Sequence, residues 1–138
     1  MKPRKLTGVL VASTLILSEY AAAHHSFSAE FDSNRPITLR GIVTKIEWTN
    51  PHVWFYINVT DEAGGDVANW GAEMGPPHSL QRGGWRRDTL KIGEEVAVEG
   101  YLAKNGSNRL NARAVTLTAT GTRPGATLDA GSSRGTSP

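Results

Sequence analysis

The chain contains no cysteine. That excludes a disulfide framework, a thiolate metal site and a cysteine nucleophile. A long apolar run is also missing. The most hydrophobic stretch, Leu6 to Leu17, falls short of the roughly 20 residues that a membrane span requires. Net positive charge is scarce as well. The chain carries a formal +2, but Lys2, Arg4 and Lys5 stand against only Glu19 in residues 1–23. Without that segment, 12 basic side chains face 12 acidic ones. A nucleic-acid binder needs a positive field to neutralise phosphates, and this balance supplies none. No glycine-rich loop shaped to cradle phosphates occurs, and no glycine-framed nucleophile elbow. Ser26 and Ser79 each neighbour a histidine, which does not make a triad. Glu47 and Glu73 form a carboxylate pair only if the fold joins them. No catalytic set emerges, so a non-enzymatic role is expected.

Among the features present, the N-terminus comes first. A basic start, the short apolar Leu6–Leu17 region and Ala21-Ala22-Ala23 read as a secretory signal over residues 1–23. An uncleaved anchor is the alternative, and the short apolar region argues against it. Cleavage after Ala23 leaves His24 as the new N-terminus. A cut after Ala22 would put Tyr20 where a small residue is wanted. The expected location is the periplasm, with no membrane span in the mature chain.

Thr38 to Val59 organises the rest. Ile37 to Trp48 reads as a first strand whose alternation changes phase between Val43 and Ile46, beside Gly41. Such a phase change marks a bulge, and a long bulged strand can serve two halves of a small barrel. Thr49-Asn50-Pro51-His52 makes a tight corner. Val53 to Val59 alternates cleanly, with Phe55 and Ile57 on one face and Trp54 and Tyr56 on the other. Val67 to Met74 is a third strand. Gly75-Pro76-Pro77 breaks it, and a short helix over 78–82 follows, since proline suits a helix start. Val96 to Ala103 and Leu110 to Leu117 are the fourth and fifth strands, joined by a turn around Asn105-Gly106.

The preceding segment, 24–36, shows no period, although Phe27 and Phe31 can pin it to the barrel. Residues 119–138 are too poor in apolar side chains to offset chain entropy and are expected to be disordered. Five strands with a helix between the third and fourth give an all-β, OB-fold-like Greek-key barrel over residues 24–118. A generic antiparallel sandwich is the alternative. The helix position and the long first strand favour the barrel.

Four motifs carry a family resemblance: His24-His25-Ser26-Phe27, Trp48-Thr49-Asn50-Pro51-His52, Trp70-Gly71-Ala72-Glu73-Met74-Gly75, and Gly84-Trp85-Arg86-Arg87-Asp88-Thr89-Leu90-Lys91. Together they resemble the small exported bacterial proteins of domain-of-unknown-function family 6152, over residues 24–118. The resemblance implies a periplasmic location and an OB-like barrel. It implies no activity.

Two constellations are candidate sites. Trp48, Trp54, Tyr56 and Trp70, with Asn50, His52 and Glu73, form a candidate ligand-binding set at the corner and on the sheet. Exposed aromatics on an OB sheet are stacking platforms, or equally a protein contact surface. The plainer reading is that Phe27 and Phe31 cover them. The second set is His24, His25, His52 and His78, a candidate copper site. A free N-terminal histidine offers an amine and an imidazole to a tetragonal Cu(II). The plainer readings are a solvated terminus for His24 and His25, a ring bonded to a backbone carbonyl for His52, an exposed helix start for His78, and core for Met74. Three roles follow: a binding module for an unknown small ligand or protein, a copper binder, or an accessory subunit of a periplasmic complex.

Overall fold

The computed structural model describes residues 27–120 and 124–131. Residues 1–26, which include the expected signal segment, His24 and His25, lie outside the described residues. The elements are β1 (Phe31–Glu47), β2 (Trp54–Thr60), β3 (Val67–Glu73), α1 (Pro77–Arg82), β4 (Glu95–Ala103), β5 (Arg109–Leu117) and β6 (Ala126–Asp129).

β1 is the hub. Residues 31–42 pair with β4 and residues 42–47 with β2, both antiparallel. Its register shifts between Val43 and Lys45, the bulge that the phase change implies. β2 pairs with β3 and β4 with β5, and a short parallel pairing of Gly71–Glu73 with Arg109–Asn111 closes the ring. The strand neighbours therefore run 1-2-3-5-4-1, with a helix between the third and fourth strands. That is an OB-like closed barrel and not a sandwich.

The inward rows of the strands fill the barrel. Val43, Phe55, Ile57, Met74, Val96, Val98, Leu110 and Val115 are buried, and α1 adds Leu80. A second, smaller cluster lies outside the barrel wall. There Phe27 and Phe31 pack with Ala103, against Trp54 and Tyr101.

Two expectations are corrected. The segment before Ile37 is not irregular, because β1 starts at Phe31. Pro36 is accommodated because the ladder slips between Phe31 and Pro36, where a missing N–H costs little. Nor is the stretch after Ala119 disordered throughout. Ala126–Asp129 is a sixth strand paired with Ala114–Leu117 of β5. Beyond it, Ala130 is fully buried. The Ala130 N–H donates to the Arg113 carbonyl, and its own carbonyl accepts from the Gly75 N–H. The Trp85 indole N–H donates to the Asp129 carbonyl at 2.6 Å. This segment fills the slot where β3 and β5 part.

Candidate functional site

Because β2 alternates, its even residues face outward, and the register carries that face to both neighbours. Glu47 of β1 stands opposite Trp54, which stands opposite Glu73 of β3. In the next row Lys45, Tyr56 and Gly71 align, and Gly71 is itself paired with Arg109 of β5. Asn58 opposes Asn69 one row further on.

The side chains of this face hold one another. The Tyr56 hydroxyl donates to Glu47 at 2.9 Å, and Lys45 pairs with Glu47 at 2.5 Å. Those two donors, Lys45 first, hold the Glu47 carboxyl below its usual range. Burial, with the Glu47 hydrogen bond second, pushes the Tyr56 phenol up. The Asn69 amide donates to Asn58 at 2.8 Å. Lys45 lies 5.2 Å from the centre of the Tyr56 ring, and the Arg109 guanidinium 4.6 Å from that of Trp54.

Gly71 allows the two rings to sit side by side. A Cβ there would lie 3.3 Å from Tyr56 and 3.6 Å from Trp54. A glycine inside a strand often marks such a close approach, and that is the one signal in the sequence that could have led to this position.

Glu47, Trp54, Tyr56, Asn69, Gly71, Asn108 and Arg109 line a groove of about 540 Å³. A second groove, about 530 Å³, is lined by Ala29, Glu30, Phe31, Ala103, Lys104, Asn105 and again Arg109.

His52 lies two residues before Trp54, on the same outward side. Its Nδ1 is 2.7 Å from Oε1 of Glu73, with the imidazole mostly and the carboxylate almost wholly buried. The Glu73 hydrogen bond is the main reason that the His52 pKa is raised. Partial burial opposes it, and the charges of Glu73 and Glu30 add to it. The corner histidine therefore bonds a carboxylate, not a backbone carbonyl. The Asn50–Pro51 bond before it is cis.

The structure thus brings His52, Trp54, Tyr56 and Glu73 onto one outer face and leaves other candidates elsewhere. Trp70 pairs with Ile57 and packs, like Trp48, against the main core. Neither joins the outer face. The Trp48 indole nitrogen is buried with no hydrogen-bond partner among the described residues. Asn50 and His78 are exposed, and Met74 is core. Glu47 and Glu73 are not a pair, because Trp54 stands between them. Phe27 and Phe31 pack against Trp54, yet both Trp54 and Tyr56 stay half-buried. Among the described residues no group of three or more His, Asp or Glu side chains is placed to hold a metal ion. No helix among them is long and apolar enough to cross a membrane.

Lys45, Asn69, Gly71, Asn108 and Arg109 were not among the sequence candidates. Comparison with protein families returns a match over residues 12–111, to a family of unknown function, DUF6152. The chain belongs to this family. The matched stretch contains the corner, both aromatic strands and Arg109, and it ends before β6. No curated protein matches the chain.

Proposed function

We propose that this family member is an exported, non-enzymatic binding module that takes a small saccharide on the outer face of β2 and β3. The observation that carries the reading is the pairing of half-exposed Trp54 and Tyr56 over Gly71, in a groove edged by side-chain amides and a carboxylate. Aromatic faces stack on the apolar side of a sugar ring, while amide and carboxylate groups exchange hydrogen bonds with its hydroxyls. The corresponding face of OB barrels takes oligosaccharides and oligonucleotides. The neutral charge expected of the mature chain disfavours the polyanion.

The test is a fluorescence titration of the mature protein with a panel of neutral and acidic oligosaccharides. Binding should fall at least about tenfold in Trp54→Ala, as for other stacked aromatics, and stay unchanged in His78→Ala. A panel with no binder, or Trp54→Ala binding like the parent, overturns the reading. Export is tested by mass spectrometry of the periplasmic protein, which should begin at His24. A full-length chain kept inside the cell removes it.

One observation supports a second reading, copper held by His24 and His25 with His52. A metal-ligating histidine usually gives its other ring N–H to a carboxylate, and Glu73 occupies Nδ1 of His52, which leaves Nε2 for a ligand. Copper titration of protein with its native terminus, with and without His52→Ala, checks this. Equal uptake by both proteins excludes His52.

A further inference from the structure

Arg109 is placed unlike the other cations near the face. Lys45 is held by Glu47. Lys104 donates to the Ser28 carbonyl at 2.5 Å. Arg113, also on β5, meets Glu99 at 2.6 Å. Arg109 is exposed, and its guanidinium has no hydrogen-bond or ion-pair partner among the described residues. It lies over the Trp54 ring, 4.6 Å from its centre, and its charge also acts on the Tyr56 hydroxyl. With no hydrogen-bond or ion-pair partner, its N–H donors are available to a ligand. Arginine has five such donors in a fixed fork, and the fork matches an oxyanion with two parallel hydrogen bonds.

The acids nearby do not satisfy it. Glu47 accepts from both Lys45 and Tyr56, and Glu73 accepts from His52. Among the described residues Arg109 is also the one that lines both grooves. A ring lying along Trp54 and Tyr56 in the first groove has this open fork at the boundary with the second. Lys104 and Glu30 both line that second groove and add one charge of each sign.

We infer that Arg109 is an anion-binding residue and that the ligand of this face is an acidic saccharide, whose carboxylate takes the guanidinium edge while a ring stacks on Trp54 and Tyr56. The inference rests on the saccharide reading above and adds the ligand's charge and the residue that selects it. A monoanionic carboxylate fits better than a phosphate dianion, because Glu47 lines the first groove and Glu30 the second, and both oppose added negative charge.

The probe is an oligosaccharide with a single uronic acid, glucuronosyl-xylobiose, compared with its methyl ester, which keeps the rings and removes the charge. A sugar phosphate serves as a third arm. The acid should bind at least about tenfold tighter than the ester, as a bidentate charge-assisted pair provides. Arg109→Gln should bring the acid down to the level of the ester and leave the ester unaffected. Arg109→Lys should restore part of the preference, because a point charge lacks the fork. Raising salt from about 50 mM to about 500 mM should weaken binding of the acid alone. Arg113→Gln, on the same strand, is the control for folding and general charge, and it should bind like the parent.

Equal binding of acid and ester, still lost in Trp54→Ala, overturns the anion subsite and leaves the saccharide reading standing. Loss of both ligands in Arg109→Gln also overturns it, because Arg109 then only supports Trp54. Tighter binding of the sugar phosphate than of the acid overturns the carboxylate assignment. No binding by any of the three, together with no binder in the wider panel, removes both readings.

Discussion

Gly71 and Gly75 stand four residues apart on one stretch of chain, and each lacks a Cβ for a different reason. At Gly75 a Cβ would lie 2.5 Å from the Gly131 carbonyl oxygen. That neighbour is backbone, held in place by the Gly75–Ala130 hydrogen bond and the Trp85–Asp129 hydrogen bond, so it cannot yield. At Gly71 the nearest atom is on the Tyr56 ring, at 3.3 Å. That ring is half-exposed and can turn aside. One glycine serves a sealed seam and the other an open face. β5 shows the same division along its outer edge. Where it meets β6 the slot is closed by small residues and satisfied donors. Where it meets β3 it presents Arg109 with its fork open. Rigidity and accessibility are thus assigned to opposite halves of one strand edge.

The strongest way to break this comparison is to remove the seam. Deleting residues 119–138 uncovers the Trp85 indole and the core beside Ala130. It should cost about 2–5 kcal/mol, lowering the melting temperature by about 10–40 °C in a domain of this size. An unchanged melting curve would mean that β6 is dispensable. Next in size is Gly75→Ala, which should cost about 1–3 kcal/mol in the full chain, the usual penalty of overpacking. In the truncated chain the same substitution should cost almost nothing, because the carbonyl that it strikes is gone. Urea denaturation of the four proteins measures the coupling. Equal costs in both backgrounds would place the strain elsewhere.

Between the two glycines stands Glu73, and its pair with His52 sharpens the contrast through pH. The folded His52 pKa lies above its ordinary value. The pair's contribution is therefore complete below the unfolded value of about 6.5 and is lost as pH rises through the raised folded value. Discounted for the exposed part of the imidazole, it amounts to about 0.5–1.5 kcal/mol. Glu73→Gln keeps an acceptor and removes the charge. The stability difference between parent and variant should be largest near pH 6 and shrink towards about pH 9. A difference independent of pH would mean that the hydrogen bond contributes without the charge.

The barrel was legible because its signals are local. Alternation in Val53–Val59, the phase change after Val43, the proline-led helix and the Asn105-Gly106 turn each act within a few residues. β6 was not legible, because Ala126-Thr127-Leu128-Asp129 brings one large apolar side chain. It is held by backbone pairing to β5 and by Ala130, which composition does not reveal. The outer face was legible in part. Alternation alone puts Trp54 and Tyr56 together, but the partner of His52 depends on the β2–β3 register. Register also removes Trp70, since its neighbour Ile57 points inward. Arg109 depends on the parallel β3–β5 closure between residues distant in the chain, which no local pattern encodes.

The smallest expected effect on stability is at Gly71, and there it separates from the effect on function. Gly71→Ala should change the unfolding free energy by less than about 0.5 kcal/mol, because the added methyl meets only the edge of a movable ring. The Tyr56 ring must shift by a few tenths of an ångström, and Trp54, whose nearest atom is 3.6 Å from the same point, is displaced with it. A stacked ligand depends on both rings lying level, so saccharide affinity should fall several-fold while the melting temperature holds. Gly75→Ala should do the reverse, lowering the melting temperature while affinity at temperatures well below it stays intact. Paired melting and binding curves for the two variants provide the check. Should both glycines lose stability and affinity in proportion, the aromatic face would be a continuation of the packed seam and not an open surface beside it.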